Sequence, residues 1–163
     1  WDRIDAASAL LADSLPVDLA GHAADFGAGW GYLADALLAR CAGITSVDLY
    51  EAEARALALA RTNLATARCP VAYHWHDVTR GVAGRYDLVL SNPPFHQGRA
   101  DQPEIGRAFI AAAAGALRPQ GRLWMVANRH LPYEATLAAH FERVREVRAD
   151  AGFKVFEAIR GNR

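Results

Sequence analysis

The sequence predicts a doubly wound α/β sandwich, a mostly parallel sheet covered by helices on both faces and closed by an antiparallel last strand. Three observations predict it. Short strand-like runs alternate with alanine-rich helical segments along nearly the whole chain, the pattern of parallel strands joined by helical crossovers. A glycine-rich turn, Gly27-Ala28-Gly29-Trp30-Gly31, follows the first strand-like run directly. The chain closes on two alternating segments, 143–149 and 153–159, joined by Ala151-Gly152, which reads as a hairpin.

The elements follow in order. A first helix is expected over 5–15, stopped by Pro16, and a strand over 22–26 leads into the glycine turn and a helix over 32–40. A short strand over 44–48 precedes a long helix over 51–67, closed by Cys69-Pro70. Strands are expected over 71–75 and 87–91, the second ended by Asn92-Pro93-Pro94-Phe95, because two prolines cannot continue a ladder. A polar loop over 96–103 leads to a helix over 104–117, a strand over 122–127 and a last helix reaching about His140.

Composition narrows the function classes. A chain of 163 residues, 52% hydrophobic and 22% charged, reads as one domain over 1–163 with a real core and no need of disulfides. Eighteen Lys and Arg balance eighteen Asp and Glu, so no global field draws in a polyanion and any nucleic-acid contact must be local. Cys41 and Cys69 have no partners at metal-ligand spacing, and no metal is expected. No apolar run is long enough to span a bilayer, and the N-terminus lacks a secretory pattern, so a cytoplasmic protein without a membrane partner is expected. The chain opens on Trp1 instead of methionine, which predicts a preceding segment of the same gene product.

Four motifs carry chemistry. In the first, Asp25 ends a strand and Gly27, Gly29 and Gly31 let the backbone of the turn, with Ala28, approach a ligand closely. In the second, Asp48, about 20 residues on and followed by Leu49, is placed to accept from both hydroxyls of a ribose. Glu51 reads as a first-turn helix acid. In the third, Asp77 offers an acceptor for an adenine amino group while Val78 frames the ring; His74 and His76 read as packed or surface side chains. The fourth is Asn92-Pro93-Pro94-Phe95. An exocyclic amine is a poor nucleophile because its lone pair is delocalised into the ring. Acceptors on both N–H groups, from the Asn92 side chain and the Pro93 carbonyl, favour the tetrahedral amine that attacks a methyl group, and Phe95 offers a stacking face.

Together these segments resemble the successive motifs of class I S-adenosylmethionine-dependent methyltransferases, and Asn92 to Phe95 is similar to the amino-methyltransferase signature. More narrowly, the NPPFH run with Gly98, the Val126-Ala127-Asn128 and Leu131-Pro132-Tyr133 segments and the ending Phe153-Lys154-Val155 resemble the bacterial ribosomal-RNA guanine-N2 methyltransferases, those of type C acting on the small ribosomal subunit and those of type G acting on the large one.

The resemblance implies a Rossmann-like fold with a seven-stranded sheet ordered 3-2-1-4-5-7-6, S-adenosyl-L-methionine as cofactor, and ribosomal RNA or a ribosomal subunit as partner. It also implies an N-terminal domain of the same fold preceding this catalytic half. Asp25, Gly27, Ala28, Gly29, Gly31, Asp48, Leu49, Asp77, Val78 and Asn92 would then bind the cofactor. Asn92, Pro93, Pro94 and Phe95 would form the catalytic loop, and Phe95, His96 and Arg99 would touch substrate. Ala28 stands where the family often has cysteine, and Gln97 where it often has aspartate. Three rivals differ from this reading. A release-factor glutamine methyltransferase usually ends the signature in tyrosine, a DNA adenine methyltransferase more often carries aspartate in place of Asn92, and a non-catalytic module would have lost its glycines. Among basic residues, Arg107 is a candidate phosphate contact, whereas Arg143, Arg145 and Arg148 read as a solvated strand face.

Overall fold

The computed structural model describes residues 4–94, 96–97 and 100–163, with only the backbone of residues 96, 97, 100 and 101. Helix α1 (Ala6–Ser14) begins at Asp5, whose carboxylate caps it by accepting from the backbone N–H groups of Ala7 and Ser8. It leads to β1 (Ala20–Phe26), α2 (Tyr32–Arg40), β2 (Gly43–Glu51), α3 (Ala54–Asn63), β3 (Val71–Trp75), a 3-10 turn (Val78–Arg80) and β4 (Tyr86–Ser91). A short antiparallel ribbon, His96–Gln97 with Ala100–Asp101, occupies the stretch expected as irregular loop. Then come α4 (Pro103–Ala116), β5 (Leu117–Asn128), α5 (Glu134–His140), β6 (Arg143–Asp150) and β7 (Phe153–Ile159).

The seven long strands form one sheet in the order β3-β2-β1-β4-β5-β7-β6, as the resemblance implies. Strands β1 to β5 pair in parallel, while β7 runs antiparallel to both β5 and β6. Side-chain alternation divides the core in two. Ala23, Leu49, Leu88, Leu90, Trp124 and Val155 pack with residues of α1, α2 and α3. Ala24, Phe26, Val89, Met125 and Phe156 pack with Phe109 and Ile110 of α4 and Leu137 of α5. Among the described residues no helix is long and apolar enough to cross a membrane.

One boundary differs in a way that matters. β2 does not stop at Asp48 but continues to Glu51, pairing Tyr50 with Phe26 of β1 and Glu51 with Trp75 of β3, and α3 starts only at Ala54. Aspartate is a poor strand former in isolation because its side chain competes with the ladder for backbone hydrogen bonds. Here that competition is removed. The Asp48 carboxylate accepts from the Tyr86 hydroxyl at 2.6 Å and meets His22 Nε2 at 3.2 Å and His74 Nε2 at 3.3 Å, partners from three different strands.

Candidate active site

The carboxyl ends of β1 to β4 and the first half of α4 surround a cavity of about 580 Å³, within the range of small-molecule sites. Gly27 and Gly29 come from the turn after β1, and Tyr50, Glu51, Ala52 and Glu53 from the end of β2. His76, Asp77, Val78 and Thr79 follow β3; Asn92 and Pro94 follow β4. Gln102, Ile105 and Phe109 close it from α4. A smaller cavity of about 130 Å³ lies across Asn92, between the glycine turn and Asp5 and Ser8 at the start of α1.

The turn is shaped by its backbone and by β2. The amides of Gly27 and Ala28 donate to the Tyr50 carbonyl at 2.9 and 3.0 Å, and the Gly29 amide donates to Glu51 Oε1 at 2.8 Å. Gly27 has φ 78°, a conformation that side chains rarely adopt, and a Cβ there would press on the Phe109 ring at 3.2 Å. Gly31, at φ 94°, caps α2 and lets it approach Leu64 and Ala60; it packs helices and does not line either cavity.

Three carboxylates set the electrostatics. Glu51 holds Gly29 through one oxygen and the Glu53 amide through the other at 2.8 Å. One hydrogen bond per oxygen leaves acceptor capacity facing the cavity. Asp77 accepts from the Thr79 hydroxyl at 2.6 Å and the Thr79 amide at 2.9 Å, and these bonds hold its carboxyl below the usual range. Asp25 is fully buried beneath the turn, and neither of its oxygens finds a hydrogen-bond partner among the described residues. Burial, with the nearby charge of Glu51, pushes its carboxyl up to about 8.

Of the expected site residues, the structure gathers Gly27, Ala28, Gly29, Asp77, Val78, Asn92 and Pro94 around the two cavities. Asp48 and Leu49 are corrected: β2 carries the chain three residues further, so Asp48 is locked among His22, His74 and Tyr86 and Leu49 is fully buried in the core. The acid at the end of the strand is Glu51. Burial raises the Asp48 carboxyl, but the hydrogen bonds from Tyr86, His22 and His74 outweigh it, and the group lies below the usual range. Pro93 is buried behind the loop, and His96 opens the short ribbon. Phe95 and Arg99 lie outside the described residues. Arg107 sits on the exposed side of α4, and Arg145 pairs with Glu157 at 2.9 Å. Sequence reasoning missed Tyr50, Glu51, His76 and the α4 wall. Ile105 and Phe109, four residues apart on one helix face, were the signal for that wall.

A sheet of this order, with a glycine turn and an Asn-Pro-Pro loop facing one cavity at its carboxyl edge, defines the methyltransferase class of doubly wound folds. A family model described as methyltransferase small domain matches residues 1–157, and the chain belongs to that family. It is 37% identical over 158 residues to ribosomal RNA small subunit methyltransferase C of Sodalis glossinidius, covering 97% of this chain and 45% of that protein. It is likewise 37% identical over 139 residues to the protein of the same name from Shewanella sp. (strain MR-4), covering 85% of this chain and 40% of that protein. Among solved structures it is similar to the T. thermophilus 16S rRNA N2 methyltransferase RsmC in complex with AdoMet and guanosine. The TM-score is 0.84 at 29% identity, over 98% of this chain and 44% of that one. The chain spans about half the length of the curated relatives it matches.

Proposed function

We propose that this chain transfers a methyl group from S-adenosyl-L-methionine to the exocyclic N2 amine of a guanine in ribosomal RNA. The observation that carries the reading is Asn92, placed where the two cavities meet, with Gly27 and Gly29 beside it. The residues present fit a cationic nucleoside cofactor. Asp25 is a buried carboxyl without a partner among the described residues, Glu51 and Asp77 line the cavity, and Val78 and Ile105 offer apolar walls. Glu51 suits a ribose diol, Asp77 and Val78 suit the adenine, and Asp25 suits the ammonium of the methionine end.

The cofactor supplies a methyl group on a sulfonium, already activated for transfer. The protein's contribution is positioning. Asn92 Oδ1 and the Pro93 carbonyl accept the two amine hydrogens and draw the nitrogen toward a tetrahedral geometry, and Phe95 and Pro94 hold the flat base. After transfer the surplus proton leaves to water, so no general base is needed. His96 and Arg99 are assigned to contact with the RNA substrate. The relatives' names support ribosomal RNA as substrate, and the complex of RsmC with AdoMet and guanosine supports guanine over adenine. The zero net charge supports a further domain of the same protein in holding the RNA, and the setting is the cytoplasm.

The test is methyl transfer from labelled S-adenosyl-L-methionine onto small ribosomal subunits lacking the modification, followed by digestion of the RNA to nucleosides. Label in N2-methylguanosine is the expected result. Label in N6-methyladenosine, or on a protein glutamine, overturns it.

A further inference from the structure

We infer that Asp5, the cap of α1, is a positioning residue for methyl transfer: acting directly and through Ser8, it fixes which end of the Asn92 side-chain amide faces the substrate. The inference rests on the role of Asn92 proposed above and adds to it a reason for the amide's orientation.

An asparagine side chain is ambivalent, with a donor end and an acceptor end of nearly the same shape. Only the acceptor end can receive an amine hydrogen. A half-turn about the last side-chain bond would present the donor end and repel the substrate. The surroundings of Asn92 forbid that half-turn. Its Nδ2 donates to Asp5 Oδ2 at 2.6 Å and to Ser8 Oγ at 2.9 Å, so both amide hydrogens have partners.

Ser8 could in principle be either donor or acceptor, but its hydroxyl donates to Asp5 Oδ2 at 3.1 Å. With its proton committed there, Ser8 Oγ can only accept from Asn92. In the flipped orientation Asn92 Oδ1 would stand against the Asp5 carboxylate and the Ser8 oxygen, acceptor against acceptor. One carboxylate therefore excludes the wrong orientation twice. The remaining end, Oδ1, is a pure acceptor, which selects donors such as an exocyclic amine and rejects keto groups. Asp5 does this from 87 residues away in sequence, while its caps on Ala7 and Ser8 keep it fixed to α1.

The test combines a spectroscopic and a kinetic readout. Asp5→Ser keeps a good helix cap with a side chain one atom shorter and no charge. The Asn92 side-chain amide signals should lose their protection from hydrogen exchange, turnover should fall by about 10- to 100-fold, and cofactor affinity should stay within about threefold. The stronger test is a swap. Asn92→Asp alone puts two carboxylates in contact and should abolish turnover. Adding Asp5→Asn restores one donor between the pair and should recover at least about tenfold. Unchanged amide protection and turnover in Asp5→Ser, or no recovery in the swap, overturns the inference. Should Asn92→Ala keep its turnover, the amine-recognition reading fails instead, and the amide signals still decide how Asp5 orients Asn92.

Discussion

Asp25 and Asp48 stand on neighbouring strands, both withdrawn from solvent, and their surroundings treat them in opposite ways. Asp48 is ringed by His22, His74 and Tyr86, and the Tyr50 and Tyr86 hydroxyls are hydrogen-bonded behind it. The Tyr50 ring stacks on His74 with centroids 4.4 Å apart. Asp25 has no hydrogen bond among the described residues and lies wholly buried beneath the glycine turn. A half-buried acid with its oxygens engaged holds strands together. A buried acid left without partners is a cost to the fold, of about 1–3 kcal/mol or more for such a group. A cost of that kind persists where a ligand removes it. Under the proposed function, the difference separates a scaffold acid from one that a bound cofactor would satisfy.

Three substitutions sharpen or break this contrast. The largest effect is expected at the reacting end. Asn92→Ala should lower turnover by at least about 100-fold with little change in cofactor affinity, since it removes a contact made to the reacting nitrogen. Turnover and cofactor titration on the same preparation check this.

Next, Asp48→Ala should cost the fold about 1–3 kcal/mol by removing the acceptor shared by Tyr86, His22 and His74, or roughly 3–10 °C in Tm for a domain of this size. A thermal melt that does not move would remove the scaffold role.

The most particular effect is at Asp25, because it depends on pH. Its folded-state pKa of about 8 lies above the ordinary carboxylate value of 3.8, so between these values the folded state binds more protons than the unfolded one. Stability from this group therefore declines as pH rises from about 4 through about 8, and the full penalty is present above that. Asp25→Asn removes the penalty. Without cofactor, its Tm should exceed the parent's by roughly 10 °C at pH 9, and the two should converge near pH 4. A parallel pair of melting curves across that range would contradict this assignment.

Much of this was legible in the sequence, and the reason is local. Helix α2 at Tyr32–Arg40, β3 at Val71–Trp75 and β7 at Phe153–Ile159 carry their own punctuation, a glycine turn, a proline and an Ala-Gly corner, and were read with the observed bounds. The Asn92 loop was legible for the same reason, because two prolines announce a rigid turn. β2 was not. Its outer half depends on partners for Asp48 from β1, β3 and β4, which are far away in sequence, and cutting the strand at Asp48 placed the expected ribose acid three residues before the strand's end at Glu51. The contact of Asp5 with Asn92 was invisible for the same physical reason. The capping signal of Asp5 is local, whereas its second role arises only when α1 folds over the end of β4.

The most direct measurement is a calorimetric titration of S-adenosyl-L-methionine into two variants of the same strand, Glu51→Ala and Asp48→Asn. If Glu51 binds and Asp48 is scaffold, Glu51→Ala weakens binding by about 10- to 100-fold, the cost of losing hydrogen bonds to a charged group, while Asp48→Asn binds within about threefold of the parent. Loss of affinity in Asp48→Asn with Glu51→Ala unaffected would contradict that division.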